Sequence, residues 1–237
     1  MKAKIIAALL ILIGLGVGFV LWKQGTVTPV LTTKKTVDTT VEDMAAIKTF
    51  MAQPTLELSF INTSLPQPYF MVGKVTKLIN GENIEKVDGW VRQVNVYDQK
   101  GVLNGQCVTY EYHVDDRNHS VTAVSIRGLR PNEIENLKQS GVSCVDSHQA
   151  PKISRAEAET IAFGYLERAL PNFNVIKNQF VYSQPVKGEA HRWLWENKGY
   201  KLPGGLEGRP YSYPTIRITV NGDKTITYWN TVSLFEN

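Results

Sequence analysis

Cys107 and Cys144 are the two cysteines of the chain, and two chemistries are open to them. Left free, one would serve as the thiolate of a cysteine transpeptidase, which needs a base beside it and a cation to stabilise it. Cys107 stands in Gly105-Gln106-Cys107-Val108, with no histidine before it and no T-L-x-T-C context. Cys144 has His113 and His119 upstream and Arg155 downstream. Joined, the pair forms a disulfide, which an even count on the oxidising side of a membrane favours. On the chain-entropy model that loop stabilises the fold by roughly 4 kcal/mol. The histidines His113, His119, His148 and His191 lack metal spacing with one another or with cysteine, so no metal or cofactor site is expected. Patterns of the GxSxG, HExxH, Walker A and CxxC types are absent. Gly14-x-Gly16-x-Gly18 lies in an apolar run, so it is no dinucleotide loop.

A second group of residues suits binding. Trp193 and Trp195 alternate along one segment. Tyr200, Tyr211 and Tyr213 flank a loop holding Gly199, Pro203, Gly204, Gly205, Gly208 and Pro210, and Trp229 lies on the last strand. With Arg192 and Arg217 these aromatics would hold an extended peptide or a glycan. The competing reading puts Trp193 and Trp195 in the core beneath a helix, where a small domain needs bulk. A long loop rich in glycine and proline is the stronger sign of exposure and function.

The elements that must position these residues read as α+β. Residues 41–51 suggest a short helix with Met44, Ile47 and Met51 on one face. Strands are expected at 56–62, 70–78, 90–97, 107–114 and 121–126. In 107–114, Val108, Tyr110, Tyr112 and Val114 alternate with Thr109, Glu111 and His113, the pattern of a half-buried strand. Asp115 and Asp116 begin a polar turn. Pro131 opens a helix that Gly141 closes, and Cys144 follows, so a disulfide would pin this helix to the sheet.

Pro151 marks a boundary. Ser154 and Glu157 form a capping box, and Ala158, Ile161, Ala162, Tyr165, Leu166 and Ala169 keep helical spacing until Pro171. Strands follow at 179–183, 191–196, 215–220 and 225–232, with Asn221-Gly222 turning the last hairpin. Ile216, Ile218 and Val220 are expected inside, and Thr215, Arg217 and Thr219 outside. The order helix, strands, closing hairpin occurs in both parts, which raises a duplication, although no residue-level repeat accompanies it.

Location is the plainest message. Residues 5–22 are uncharged and mostly apolar, preceded by Lys2 and Lys4 and closed by Trp22-Lys23. As a helix they span roughly 27 Å, near the thickness of a bilayer core. No small-residue cleavage pattern ends the run, so it reads as an uncleaved signal anchor with a cytoplasmic N-terminus and an extracytoplasmic ectodomain. Gly14 and Gly18 form a GxxxG, a contact through which two anchors would dimerise. The expected plan is an anchor at 1–23, a threonine-rich linker at 24–40, a β-rich α+β domain at 41–150, and a helix-plus-antiparallel-sheet domain at 151–237. The formal charge of +4 owes three charges to Lys2, Lys4 and Lys23, and neither half carries the basic surplus of a nucleic-acid binder.

The segment Ile153-Ser154-Arg155-Ala156-Glu157-Ala158-Glu159, followed by a tryptophan-bearing strand and then Pro214-Thr215-Ile216-Arg217-Ile218-Thr219-Val220-Asn221-Gly222, resembles the PepSY domain pattern. That pattern has an s-x-x-e-A-x-x-i-A helix and a closing hairpin. The resemblance covers about residues 152–233. The insert at 199–210 and the tight Asn221-Gly222-Asp223 turn depart from it. It implies a non-enzymatic role in the cell envelope, binding or regulating another envelope protein such as a protease, with no catalytic residues to carry over. A cysteine transpeptidase and a structural subunit of a surface assembly are the alternatives.

Overall fold

The computed structural model describes residues 37–64, 71–75, 78–79, 83–84, 87–145, 153–183, 190–201, 207–209 and 213–235. The expected anchor at 5–22, its GxxxG and most of the linker lie outside the described residues. Among the described residues no helix is long and apolar enough to cross a membrane. Residues 34–237 belong to one compact unit with a mixed helix and antiparallel-sheet fold.

Eight strands form the main sheet in the order β1-β6-β7-β8-β13-β12-β10-β9, every neighbouring pair antiparallel. The first four are β1 (Leu58–Ser64), β6 (Val94–Gln99), β7 (Val108–Asp115) and β8 (Val121–Gly128). The others are β9 (Val181–Ser183), β10 (His191–Glu196), β12 (Thr215–Val220) and β13 (Ile226–Asn230). Each half of the chain thus supplies one four-stranded meander, and each closes on the strand that meets the other half. The order reads outward from β8 and β13 identically in both directions, as a two-fold axis through the joint would produce. At the joint Tyr228 pairs with Val124 and Trp229 with Ala123, and the Ile226 amide donates to the Tyr110 hydroxyl at 2.8 Å.

One helix precedes each meander. Helix α1 (Val37–Met51) begins four residues before the expected start, inside the stretch read as linker. Its Ile47 and Phe50 are buried in the same core as Ala158, Ala162 and Leu166 of a second helix, Arg155–Ala169. Half of the expected capping box forms in that second helix: Ser154 Oγ accepts from the Glu157 amide at 3.2 Å, while the Glu157 carboxylate meets Lys224 instead of reaching back to Ser154. The helices meet directly, where Arg168 Nε donates to the Phe50 carbonyl at 2.7 Å and the Phe50 ring lies 5.1 Å from those of Tyr165 and Tyr228. Below them lie Tyr97, Tyr110, Tyr112, Val114, Ile216, Ile218 and Val220, so the alternation read in β7 and β12 points to the right face.

The opposite face is more buried than alternation suggests. Thr109 and Asp115 are fully buried, and His113, Thr215 and Thr219 nearly so. Some of these polar residues are tolerated because their hydrogen bonds are satisfied locally. Thr109 donates to the Gln99 carbonyl at 2.8 Å, and Asp115 accepts from the amide and guanidinium of Arg117.

Between them, helix α2 (Pro131–Gln139) lies outside this core and buries none of its residues. Gly141 adopts φ 77° and Val142 returns its amide to Leu137, as the sequence reading expects of a glycine cap. The Cys107–Cys144 disulfide is formed, with Cα atoms 5.0 Å apart. The second core helix, α3 (Arg155–Ala169), follows.

Other expectations shift. The strand expected at 90–97 is two strands, β5 (Val87–Val91) and β6. Strand β2 (Met71–Val75) pairs with β5 on one side and with β11 (Glu207–Arg209) on the other, and the short strands β3 (Leu78–Ile79) and β4 (Asn83–Ile84) pair with each other. The middle of the glycine- and proline-rich loop is therefore a strand paired with the chain's own β2. The final hairpin forms at Asn221, but the left-handed residue is Lys224, at φ 67°. The Asn221 side chain and the Asp223 carboxylate, which accepts from the Thr225 amide, hold the turn instead of an Asn-Gly positive-φ pair.

Candidate binding site

Of the residues singled out in the sequence, Trp193 and Trp195 are core residues, 2% and 6% exposed. They lie on the helix-facing side of β10. Trp195 stands edge-on to Phe163 and Phe173 at 6.1 and 5.0 Å, and the Arg155 guanidinium covers Trp193 at 4.9 Å. The reading that places them under a helix is the one the structure displays. Tyr200 packs edge-on to Phe235 at 5.4 Å, and the Tyr213 hydroxyl donates to Glu196 at 3.1 Å. Tyr211 lies outside the described residues. Arg217 is separate from all of them, on the far face of β12, and exposed.

Arg217 belongs to a different constellation, at the joint of the two halves. Across β7, β8, β13 and β12 the register sets His113 beside Ala123, Ala123 beside Trp229, and Trp229 beside Arg217. The next row sets Glu111 beside Ser125, with Thr227 also on this face. Large side chains thus stand on the outer strands of the row while alanine and serine lie on β8. The difference in side-chain length leaves a hollow of about 360 Å³ whose lining includes Glu111, His113, Ser125, Thr227, Trp229 and Arg217.

Its electrostatics are uneven. Glu111 Oε1 lies 2.9 Å from His113 Nε2. That hydrogen bond holds the Glu111 carboxyl below its ordinary range; the charges of Arg127 and Arg130 add to the effect and burial opposes it. His113 Nδ1 is buried without a hydrogen-bond partner. Such a group costs stability wherever nothing meets it. Across the hollow, Arg217 makes no ion pair among the described residues, and the Ser125 and Thr227 hydroxyls make no hydrogen bonds among them. Among the described residues no group of three His, Cys, Asp or Glu could hold a metal ion.

Two further polar clusters are structural. Buried Asp43 accepts from Asn95 at 2.9 Å and from the Tyr97 hydroxyl at 2.6 Å, and meets His119 Nδ1 at 2.7 Å. His119 Nε2 reaches Glu42 at 2.6 Å, so both ring nitrogens face carboxylates of α1 and clasp that helix to the β7–β8 turn. Arg127 on β8 places its fork on Glu133 at 2.8 and 2.9 Å and donates from Nε to Asp98 at 3.0 Å.

The sequence reading reached Arg217 and Trp229 but not the small residues between the strands. Ala123, Ser125 and Thr227 carry no signal, since small residues on a strand acquire meaning only from what stands beside them. The pairing of β8 with β13 joins positions far apart in the chain, which local periodicity does not encode. No protein-family model, no curated protein and no solved structure matches the chain.

Proposed function

We propose that the chain is a membrane-anchored, extracytoplasmic binding or regulatory protein that acts on another protein of the cell envelope, using the hollow at the joint as a contact site. The observation that carries this reading is the set of unspent hydrogen-bonding groups gathered there by two halves of one rigid sheet. Rigid elements that present a few polar groups around an aromatic side chain are suited to recognition. The apolar run at 5–22 supplies the attachment, and the disulfide suits an oxidising compartment. A helix leading into an antiparallel meander, present in both halves, accords with the PepSY resemblance of residues 152–233. The transpeptidase alternative requires a thiolate, and both cysteines are engaged in one bridge.

Crosslinking in native membranes, followed by purification of the full-length chain, tests the reading. One defined envelope protein should be recovered with the wild type and lost with Arg217→Gln. Equal recovery from both would remove the hollow from the contact. Rapid alkylation of one cysteine in the unreduced protein would revive the enzyme reading.

A further inference from the structure

We propose that the hollow at the β8–β13 joint binds an organic carboxylate, with Arg217 as its principal partner and Trp229 as the apolar wall beside it; this rests on the binding reading above. The groups left unspent there are mainly donors. Arg217 offers a planar fork of N–H groups and accepts nothing, and Ser125 and Thr227 each add a hydroxyl. A guanidinium fork matches a carboxylate in two parallel hydrogen bonds. Register fixes Arg217 directly opposite Trp229, so a ligand held by the fork has an indole alongside for an apolar substituent.

Charge narrows the class. Glu111 is engaged by His113, which tempers its repulsion of an anion but leaves a negative group in the wall. One cation facing one compensated carboxylate suits a monoanion. A phosphate, which carries nearly two negative charges near neutral pH, would meet Glu111 with too little positive charge to offset it. Size narrows it further: a hollow of about 360 Å³ exceeds what a bare ion needs and suits a carboxylate with one or two residues' worth of substituent. His113 Nδ1 is buried without a partner and takes no part in the proposed contact. Two sources offer this chemistry, the carboxy-terminal end of a polypeptide and a free organic acid.

The test uses the full-length chain in detergent micelles and three probes: acetyl-Ala-Ala-Phe with a free carboxylate, the same peptide amidated, and 3-phenylpropionate. Binding is read by calorimetry and by the shift of the Trp229 indole signal. The free-acid peptide should bind at least tenfold more tightly than the amide. Arg217→Gln should remove that preference, and Arg217→Lys, which keeps charge but loses the fork, should fall between. Because Arg217 is exposed, both variants should unfold at the wild-type temperature. Tighter binding of the peptide than of 3-phenylpropionate assigns the site to polypeptide ends, and equal binding assigns it to free acids; either supports a carboxylate site. Equal affinity for acid and amide, a preference that survives Arg217→Gln, or no binding of any probe overturns it. If the acids fail to bind while Arg217→Gln still loses the crosslinked envelope protein, the carboxylate assignment falls and the binding reading stands.

Discussion

Helices α2 and α3 are neighbours in sequence, yet they are held to the same sheet by opposite means. Helix α3 buries Ala158, Ala162 and Leu166 against β10 and β12 and shares a core with α1. Helix α2 has no buried residue; it is held by the Arg127 fork on Glu133 at its first turn and, just after its last, by the disulfide and the backbone bonds of Val145 with Gly105 and Cys107. Apolar packing is distributed and cooperative, so α3 should leave only when the whole unit unfolds. Two localised attachments can be cut one at a time.

The largest effect should come from cutting into the packed helix. Leu166→Ala should cost about 2–5 kcal/mol by lost burial and the cavity left behind, seen as a lower urea midpoint with a single transition for both halves. Replacing both cysteines by serine should cost about 2–4 kcal/mol. Its signature differs: amide exchange should accelerate in Pro131–Gln139 well below global unfolding, while α3 stays protected. Equal acceleration in the two helices would refute the contrast.

Acid should also separate them. Hydrogen bonds from Arg127 hold Glu133 at about 2, against the ordinary 4.5, with the Arg130 amide adding and burial opposing. A depressed folded value means the attachment is intact above the ordinary value and is lost as pH falls from about 4.5 towards 2. Amide signals of α2 should therefore broaden across that window before those of α3. Glu133→Gln should cost about 1–2 kcal/mol at neutral pH and flatten the dependence. The smallest effect belongs to the matching ion pair on α3. Glu157 meets Lys224 at 2.9 Å, but both side chains are largely in solvent. Glu157→Gln should change stability by less than about 0.5 kcal/mol, and a cost near that of Glu133→Gln would show that burial does not govern these pairs.

What the sequence displayed and what it concealed follow the same division. Strands β10 and β12 lie at 191–196 and 215–220 as read, because strict alternation and flanking turn residues mark them locally. The α3 face is legible for the same reason: its apolar residues repeat at three and four. The Arg127–Glu133–Asp98 attachment was not, because an arginine on a strand and a glutamate in a first turn look like ordinary surface charges. The buried far face was misread, since Thr109, His113 and Thr219 alternate like solvent-facing residues and their burial depends on tertiary neighbours. Trp193 and Trp195 show the converse: their period of two marks a strand but does not say which face the ligand sees.

The pairing of β8 with β13 also sets a timetable for synthesis. Strand β8 is complete at Gly128, while the partner that covers its edge starts at Ile226. At about 5–20 residues per second, the growing chain carries β8 as an open edge for roughly 5–20 s. During that interval the first meander is an unfinished sheet whose edge, Val121–Gly128, holds two valines, an isoleucine and a single charged residue, Arg127. Until the second meander emerges, that arginine is the edge's own guard against pairing with a neighbouring chain, a duty it shares with its folded-state role, since Asp98 and Glu133 are both synthesised well before Ile226.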